Sequence, residues 1–175
     1  MVTEDRALRF EAVVRAVIDP LRRFLARRTD AATAEDVLAD TLLVIWRRLD
    51  DVPAEPLPWS FAVARNVLAN AERSERRRQR LAAKLESQPA AAADWPSDGG
   101  DLALPAALAS LRPQDAELLR LWAWEQLSPA EMAVALHTTP NAVSIRLHRA
   151  KAALREALRK TDDPAGHEGS EGRTR

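Results

Sequence analysis

The sequence predicts an all-α fold, arranged as two small helical domains that a flexible acidic linker joins. Apolar residues make up 46% of the chain, and most are Ala and Leu, which lose little conformational freedom in a helix. Residues that favour strands are scarce, with three Phe and no Tyr. Residues 86–103 combine Pro, Gly, Ser and acids between two segments of helical periodicity. We therefore expect domains at 1–85 and 104–160, and a disordered, Gly-rich tail at 161–175.

The first domain begins with residues 3–28, which are expected to form one or two helices. Pro20 marks either a break or a fresh start within this segment. Thr33 is expected to begin the next helix, because Asp36 completes a capping-box-like pattern near the positive helix end. The apolar residues of this helix recur at intervals of four and three residues and share one face: Leu38, Leu42, Ile45 and Leu49.

Residues 51–58 are expected to form a loop, because they include three prolines. Trp59 then opens a helix that runs on into a basic cluster between Arg73 and Lys84. This cluster holds six basic residues and one acid, whereas residues 85–101 hold four acids and no base. The segregation outweighs the net charge of zero, because attraction to phosphate acts over about a Debye length.

Residues 127–158 have the pattern of a helix-turn-helix that binds DNA. Residues 128–131 (Ser-Pro-Ala-Glu) combine an N-cap serine, a proline at the first helical position and a glutamate that closes a capping box. Residues 137–138 (His-Thr) form the predicted turn, and residues 139–140 (Thr-Pro) start a second helix. Two short helices joined by about three residues have the spacing of this motif.

The second helix of this motif has two chemically different faces at 100° per residue. Its buried stripe is predicted to be Val143, Leu147, Ala150 and Leu154. The opposite side carries Asn141, Ile145, His148 and Arg149, with Arg146 and Lys151 on the flanks. Such side chains can read base edges in a major groove, while flanking cations hold phosphates. A solvated face on an ordinary helical hairpin is the alternative that the pattern leaves open.

Two segments here resemble region 4 of bacterial RNA polymerase sigma factors, namely residues 126–133 (Gln-Leu-Ser-Pro-Ala-Glu-Met-Ala) and 143–151 (Val-Ser-Ile-Arg-Leu-His-Arg-Ala-Lys). More narrowly, the chain is similar to the extracytoplasmic-function (ECF, group 4) subfamily. Residues 34–49 resemble the polymerase-binding helix of region 2 in that family, and residues 59–73 resemble its helix that handles the −10 element. The resemblance covers most of both predicted domains.

The chain departs from the family pattern at several positions. Arg112 stands where the family usually has Pro, and Ala116 where it usually has Arg. Gln126 replaces a usual Gly, and Ser144 replaces a usual cation on the recognition helix. The proline-rich loop 51–58 also differs from the family in composition. These departures bear on which promoter sequence the chain recognises.

The resemblance implies a factor that binds core RNA polymerase, directs it to specific promoters and helps to melt the −10 region. It assigns core polymerase binding to Asp36, Asp40, Trp46 and Arg47. It assigns single-stranded −10 DNA to Asn66 at the mouth of the loop 51–58, and to Asn70, Arg73, Arg76 and Arg77. It assigns the −35 element to Asn141, Ser144, Ile145, Arg146, His148, Arg149 and Lys151. Each role has a simpler alternative: core packing for Trp46, a helix surface for Asn66, and a solvated face for the basic cluster.

Other function classes are less well supported by the residues. No catalytic activity, cofactor or metal site is expected, since the chain has three histidines, no cysteine and no Gly-rich phosphate loop. A helix-turn-helix regulator whose N-terminal half only dimerises or senses a ligand is the main alternative, and a purely protein-binding helical module is another. The charged start of the chain and the lack of a long apolar run predict a cytoplasmic protein without membrane insertion.

Two expectations concern partners and tryptophans. The resemblance makes an anti-sigma factor a candidate partner, beside core RNA polymerase and promoter DNA. Trp122 and Trp124 are expected to belong to the core, whereas Trp95, alone in the polar linker, is a candidate anchor for a partner.

Overall fold

The fold is that of a computed structural model, which describes residues 2–83 and 103–162. Seven α-helices occupy these ranges: α1 (Val2–Ala26), α2 (Ala31–Arg47), α3 (Pro56–Ala83), α4 (Ala103–Ser110), α5 (Pro113–Ala123), α6 (Pro129–Leu136) and α7 (Pro140–Asp162). A short 3-10 turn, Leu49–Asp51, follows α2. The described ranges contain no strand, and the predicted all-α class is confirmed.

Parts of the sequence interpretation lie outside the described residues. These are most of the predicted linker at 86–103, with Trp95, most of the predicted tail at 161–175, and Lys84 of the basic cluster. Within the described ranges, no helix combines the length and the apolar character that a membrane crossing requires.

The N-terminal half is a bundle of α1, α2 and α3. Its core contains Leu21, Phe24 and Ile45, which are fully buried, and Phe61, whose ring lies 4.9 Å from that of Phe24 between centroids. The predicted apolar face of α2 lies in this core, with Leu38, Ile45 and Leu49 buried and Leu42 partly buried. α1 is one continuous helix with Pro20 inside it, so Pro20 neither ends nor restarts the helix.

Two predicted helix starts in this half are wrong. α2 begins at Ala31 rather than at Thr33, because the side chain of Asp30 acts as N-cap and accepts a 3.0 Å hydrogen bond from the Thr33 N–H. This hydrogen bond lowers the pKa of Asp30. α3 begins at Pro56 instead of Trp59, because proline suits the first turn of a helix as well as a loop.

The C-terminal half packs α4, α5 and α6 against α7. Its buried apolar side chains come from every helix, and the fully buried ones include Leu118, Leu121, Met132 and Ala135. α6 also packs against α3 of the other half, so the described parts of the two halves are in direct contact.

Candidate nucleic-acid interface

The first helix of the helix-turn-helix, α6, begins with the predicted capping box. The Ser128 Oγ accepts a hydrogen bond from the Glu131 N–H at 3.3 Å, and the Glu131 Oε2 accepts one from the Ser128 N–H at 2.8 Å. The hydrogen bonds from Ser128 lower the pKa of the Glu131 carboxyl. Together these contacts satisfy backbone N–H groups that have no partner inside the helix.

The turn between the helices is as short as the sequence predicts. His137 caps α6 in the left-handed conformation with φ of 52°, and the Thr138 N–H donates to the Ala133 carbonyl at 2.9 Å. Thr139 then starts α7, since its Oγ1 accepts from the Ala142 N–H at 3.2 Å. A left-handed residue, followed two positions later by a new N-cap, turns the chain sharply between the two helices.

α7 presents the two faces that its periodicity predicts. Val143, Leu147 and Ala150 are buried, and Leu154 packs against the core from a partly buried position. The side chains on the predicted reading face are exposed: Asn141, Ser144, Ile145, His148 and Arg149. Ile145 is 46% exposed, so its apolar side chain is available on the same face. The structure thus presents amide, imidazole, guanidinium and apolar groups together to solvent.

Three α7 side chains already have intramolecular contacts. The Ser144 Oγ donates to the Pro140 carbonyl of its own helix at 2.9 Å. The Arg146 Nη2 donates to the Gln114 Oε1 at 3.3 Å, which links α7 to the start of α5. The Lys151 Nζ lies 3.4 Å from the centroid of the Trp122 ring, in a cation–π contact.

The expectation that Trp122 is a core residue is wrong. Its side chain is 43% exposed, because it packs beside Lys151 at the edge of α7 and not between the helices. Trp124, by contrast, is partly buried and packs against the core.

The sequence analysis missed Arg112 and Gln114 at the start of α5. They line an open cleft together with Arg146 and Arg149 of the reading helix. Arg112 also donates from Nε to the Asp115 Oδ2 at 2.8 Å. The only sequence signal for this arrangement is that Arg112 stands where similar proteins have proline.

The predicted −10 residues lie along the exposed side of α3. Asn66 and Asn70 are exposed, and the Asn70 Oδ1 accepts a hydrogen bond from the Arg73 Nη2. Arg76 pairs with Glu72 at 3.7 Å, while Arg77 is exposed further along the same helix. Asn66 lies ten residues after the first residue of α3, about 15 Å along the helix axis. It is therefore on the side of the helix and not at the mouth of the loop 51–58.

The predicted polymerase-binding residues of α2 differ in exposure. Asp36, Asp40 and Arg47 are exposed, whereas Trp46 is half-buried. The Trp46 ring packs edge-on against Phe10, 5.1 Å between centroids, and the Arg6 guanidinium lies 5.2 Å from it. Trp46 therefore has a packing role against α1, and its polymerase contact stays a prediction.

Comparison with known proteins decides the family. Residues 101–154 match the family described as sigma-70, region 4. The RNA polymerase sigma-E factor of Streptomyces avermitilis is 35% identical over 169 residues, which are 92% of this chain and 91% of that protein. The ECF RNA polymerase sigma factor SigL of Mycobacterium tuberculosis is 32% identical over 85% of this chain and 90% of its own length. The chain belongs to the ECF family of RNA polymerase sigma factors.

Solved structures share the fold of this sigma factor. The sigma factor RpoE of Bartonella quintana, solved with the anti-sigma factor NepR, is 23% identical over 86% of this chain, with a TM-score of 0.60. The PhyRSL–NepR complex of Sphingomonas sp. Fr1 is 20% identical over 93% of this chain, with a TM-score of 0.63. The helical architecture is thus one that solved proteins adopt.

One departure of this sigma factor from its family has a clear structural cost. Gln126 has a φ of 54°, in the left-handed region where the usual glycine meets no steric penalty. It lies in the turn between α5 and α6, where the Leu127 N–H donates to the Leu121 carbonyl at 3.2 Å. Ala116 stands where the family usually has arginine, and it is buried at 3% exposure. This position therefore carries no charged side chain.

Proposed function

We propose that this sigma factor binds core RNA polymerase, directs it to promoters and helps to open the −10 region. In this assignment α7 reads the −35 element as duplex, and α3 binds the −10 element as single strand. One observation carries the proposal. α7 follows the capped helix α6 after a sharp turn, and it exposes Asn141, Ile145, His148 and Arg149 on one face. α2 contributes Asp36, Asp40, Trp46 and Arg47 to the polymerase interface.

The chemistry of α7 suits a major groove. An α-helix fits its width of about 12 Å, and asparagine and arginine can each make paired hydrogen bonds to a purine edge. The exposed Ile145 offers an apolar surface to a thymine methyl group. Arg146, Lys151 and Ser144 lie beside this face, where phosphates of the groove walls would approach. Because Lys151 contacts Trp122 and Arg146 contacts Gln114, these side chains would have to exchange or share those contacts.

The chemistry of α3 suits an unpaired strand. The exposed amide of Asn66 can donate to and accept from the Watson–Crick edge of a base once the base pair is broken. Asn70, Arg73, Arg76 and Arg77 extend the same helix with a polar and basic surface, on which backbone phosphates can release counterions. The proposed role of α3 therefore depends on melting, whereas that of α7 does not.

The main alternative, a regulator that uses only its helix-turn-helix, explains less. The similarity to sigma factors spans up to 92% of this chain and so includes the N-terminal half, which the alternative assigns only to dimerisation or sensing. A cytoplasmic location, the absence of catalysis and an anti-sigma partner belong to the same proposal.

In vitro transcription tests the proposed function directly. Fragmented genomic DNA of the source organism is transcribed by its core RNA polymerase with and without the purified protein, and RNA 5′ ends are sequenced. We expect a small set of new start sites that depend on the protein, preceded by shared −10 and −35 sequences. A protein that shifts such DNA without polymerase, and yields no new start sites, would be a regulator of the alternative kind.

A further inference from the structure

A cleft opens between the start of α5 and the middle of α7, beside the reading face. Arg112, Gln114 and Asp115 line it from α5, and Arg146 and Arg149 line it from α7. It therefore holds three guanidinium groups and one carboxylate. The Asp115 side chain is 12% exposed, whereas that of Arg112 is 82% exposed. The charged groups that the cleft presents to solvent are thus mostly cationic.

Hydrogen bonds hold two of these arginines in place. The Asp115 Oδ2 accepts from the Arg112 Nε at 2.8 Å, which occupies one of the three guanidinium nitrogens and leaves the two Nη groups outside this bond. The Gln114 Oε1 accepts from the Arg146 Nη2 at 3.3 Å. A side chain that is already ordered loses less conformational entropy on binding. The cleft is therefore partly preorganised for an anion.

The cationic side chains of α7 are unequally distributed around the helix. At 100° per residue, Arg146 lies about 60° from Arg149, on the side of the reading face that borders the cleft. Ser144 and Lys151 lie about 20° apart on the opposite flank. There the Ser144 side chain carries no charge, and the Lys151 Nζ lies 3.4 Å from the centroid of the Trp122 ring. The α5 side of the reading face is therefore the more strongly cationic one.

A major groove gives the two flanks of a reading helix different neighbours. The walls of the groove are the phosphate backbones of the two strands, so a helix that reads base edges has one strand beside each flank. A guanidinium group binds a phosphate through two parallel hydrogen bonds. With α7 in the groove, the strand on the α5 side would lie beside the cleft, where Arg112 adds a cation from a second helix.

We propose that Arg112 and Arg146 bind the phosphodiester backbone of one DNA strand beside the −35 element, and that this strand carries more of the phosphate contacts than the other. The inference rests on the proposed function, since it requires α7 to lie in the major groove. Arg112 contributes affinity without base preference, because every nucleotide has the same phosphate. The reading face of α7 selects the sequence, and the cleft fixes the position of the helix on one strand.

Salt titration of promoter binding tests the role of Arg112. The full chain is assembled with core polymerase on a promoter fragment recovered by the transcription experiment, and its affinity is measured at several salt concentrations. The test variant is Arg112→Gln. Arg159→Gln is the matched control, because Arg159 is also exposed, at 74%, and also pairs with an acid three residues away. Arg159 lies about 15 Å along the axis of α7 from Arg149.

We expect Arg112→Gln to weaken binding to all promoter sequences alike and to reduce the slope of log affinity against log salt by about 0.9, the value for one phosphate. The affinity lost should therefore grow by about eightfold for each tenfold decrease in salt. Arg112→Lys retains the charge and should retain most of the slope, and Arg159→Gln should match the wild type. Wild-type affinity and slope in Arg112→Gln would overturn the proposal.

Changes in the DNA test the same contact without relying on the folding of a variant. Single phosphates of the −35 element are replaced by uncharged methylphosphonates, one at a time on each strand, and binding of the wild type is measured. We expect the larger losses on one strand, and Arg112→Gln should be insensitive to at least one replacement that weakens the wild type. Ser144→Arg should add a sensitive phosphate on the other strand. Equal sensitivity of the two strands in the wild type would contradict the proposed asymmetry.

The outcomes separate this proposal from the proposed function. If start sites appear but Arg112→Gln behaves as the wild type, the proposal for the cleft fails and the proposed function stands. If no start site appears, the salt titration is made with the full chain and a duplex of mixed sequence. A smaller slope in Arg112→Gln than in Arg159→Gln then supports phosphate binding by the cleft although the proposed function fails, and equal slopes overturn both.

Discussion

The Arg65 guanidinium donates a 2.8 Å hydrogen bond to the main-chain carbonyl of Ala135, so a side chain of α3 reaches directly into the helix-turn-helix. Its neighbour Asn66 points to solvent on the same helix. Adjacent residues therefore serve two different surfaces, since successive side chains on a helix diverge by about 100°. One contacts the other half of the chain, and the other is available to DNA.

This divergence predicts opposite phenotypes for the two neighbours. Asn66→Ala should impair open-complex formation and spare binding to core polymerase, because in the proposed function its amide binds a base only after that base is unpaired. Arg65→Gln should leave the melting step intact, because the Arg65 side chain contacts the other half of the chain and not the exposed side of α3. Potassium permanganate footprinting of unpaired thymines, beside a polymerase binding assay, measures both. Equal loss of melting and polymerase binding in Asn66→Ala would mark Asn66 as a structural residue.

A second prediction concerns Arg149 on the reading face of α7. If it makes a bidentate contact to a guanine, Arg149→Ala should cost roughly 1–3 kcal/mol and relax preference at one base position. If it contacts only phosphate, all sequences should weaken alike and the salt slope should fall by about one unit. The measurement is a salt titration of the full chain binding a −35 duplex.

Arg155→Ala supplies the matched control for this titration. Arg155 is exposed on the same helix, but at 100° per residue it lies about 120° around the axis from Arg149. The control should leave the base preference unchanged. If Arg149→Ala binds the duplex with the affinity and the salt slope of the wild type, another face of α7 reads the DNA.

A third prediction follows from the positive φ of Gln126. Gln126→Gly should stabilise the protein by about 0.5–1 kcal/mol, because a non-glycine residue pays roughly 1–2 kcal/mol in the left-handed region and glycine loses part of this gain through unfolded-chain entropy. Urea unfolding at constant m-value measures the change. Ala153→Gly, at an exposed right-handed position of α7, should instead destabilise by about 1 kcal/mol. A loss of stability in Gln126→Gly would show that the glutamine side chain makes a compensating contact.

A fourth prediction concerns acid stability of the capping box. The pKa of Glu131 is lowered by its hydrogen bonds with Ser128, so its contribution is complete above the ordinary glutamate pKa and is lost as pH falls through the lowered value. Glu131→Gln can still accept from the Ser128 N–H but does not titrate. The difference in thermal midpoint between wild type and variant should therefore shrink or reverse between about pH 6 and pH 3. The effect is small because Glu131 is exposed. If the difference in thermal midpoint stays constant with pH, ionisation of Glu131 does not contribute to stability.

Several features of this protein follow from the sequence alone because they depend on local geometry. The capping box of Ser128 and Glu131, the start of α7 after Thr139 and the buried stripe from Val143 to Ala150 all appear as predicted. Each involves residues within a few positions of one another, where helical periodicity and capping chemistry leave few alternatives. The family assignment uses the same local patterns.

Local competition explains the misplaced helix starts. Asp30 and Thr33 are both good N-caps, and the sequence does not say which of them the helix uses. Pro56 and Pro58 fit a loop or a first helical turn equally well. A tryptophan such as Trp122 is expected in the core because its side chain is large and apolar. Its exposure depends instead on the position of α7 relative to α5.

The tertiary structure alone decides the contact between the halves. Arg28 and Glu117 are 89 positions apart in the chain, and Arg27 and Glu125 are 98 apart. In the sequence they are ordinary charges on helices or near helix ends, since no periodicity links residues so distant. They become a buried cluster only when α3 packs on α6, because burial and pairing of charges depend on how two preformed surfaces meet in space.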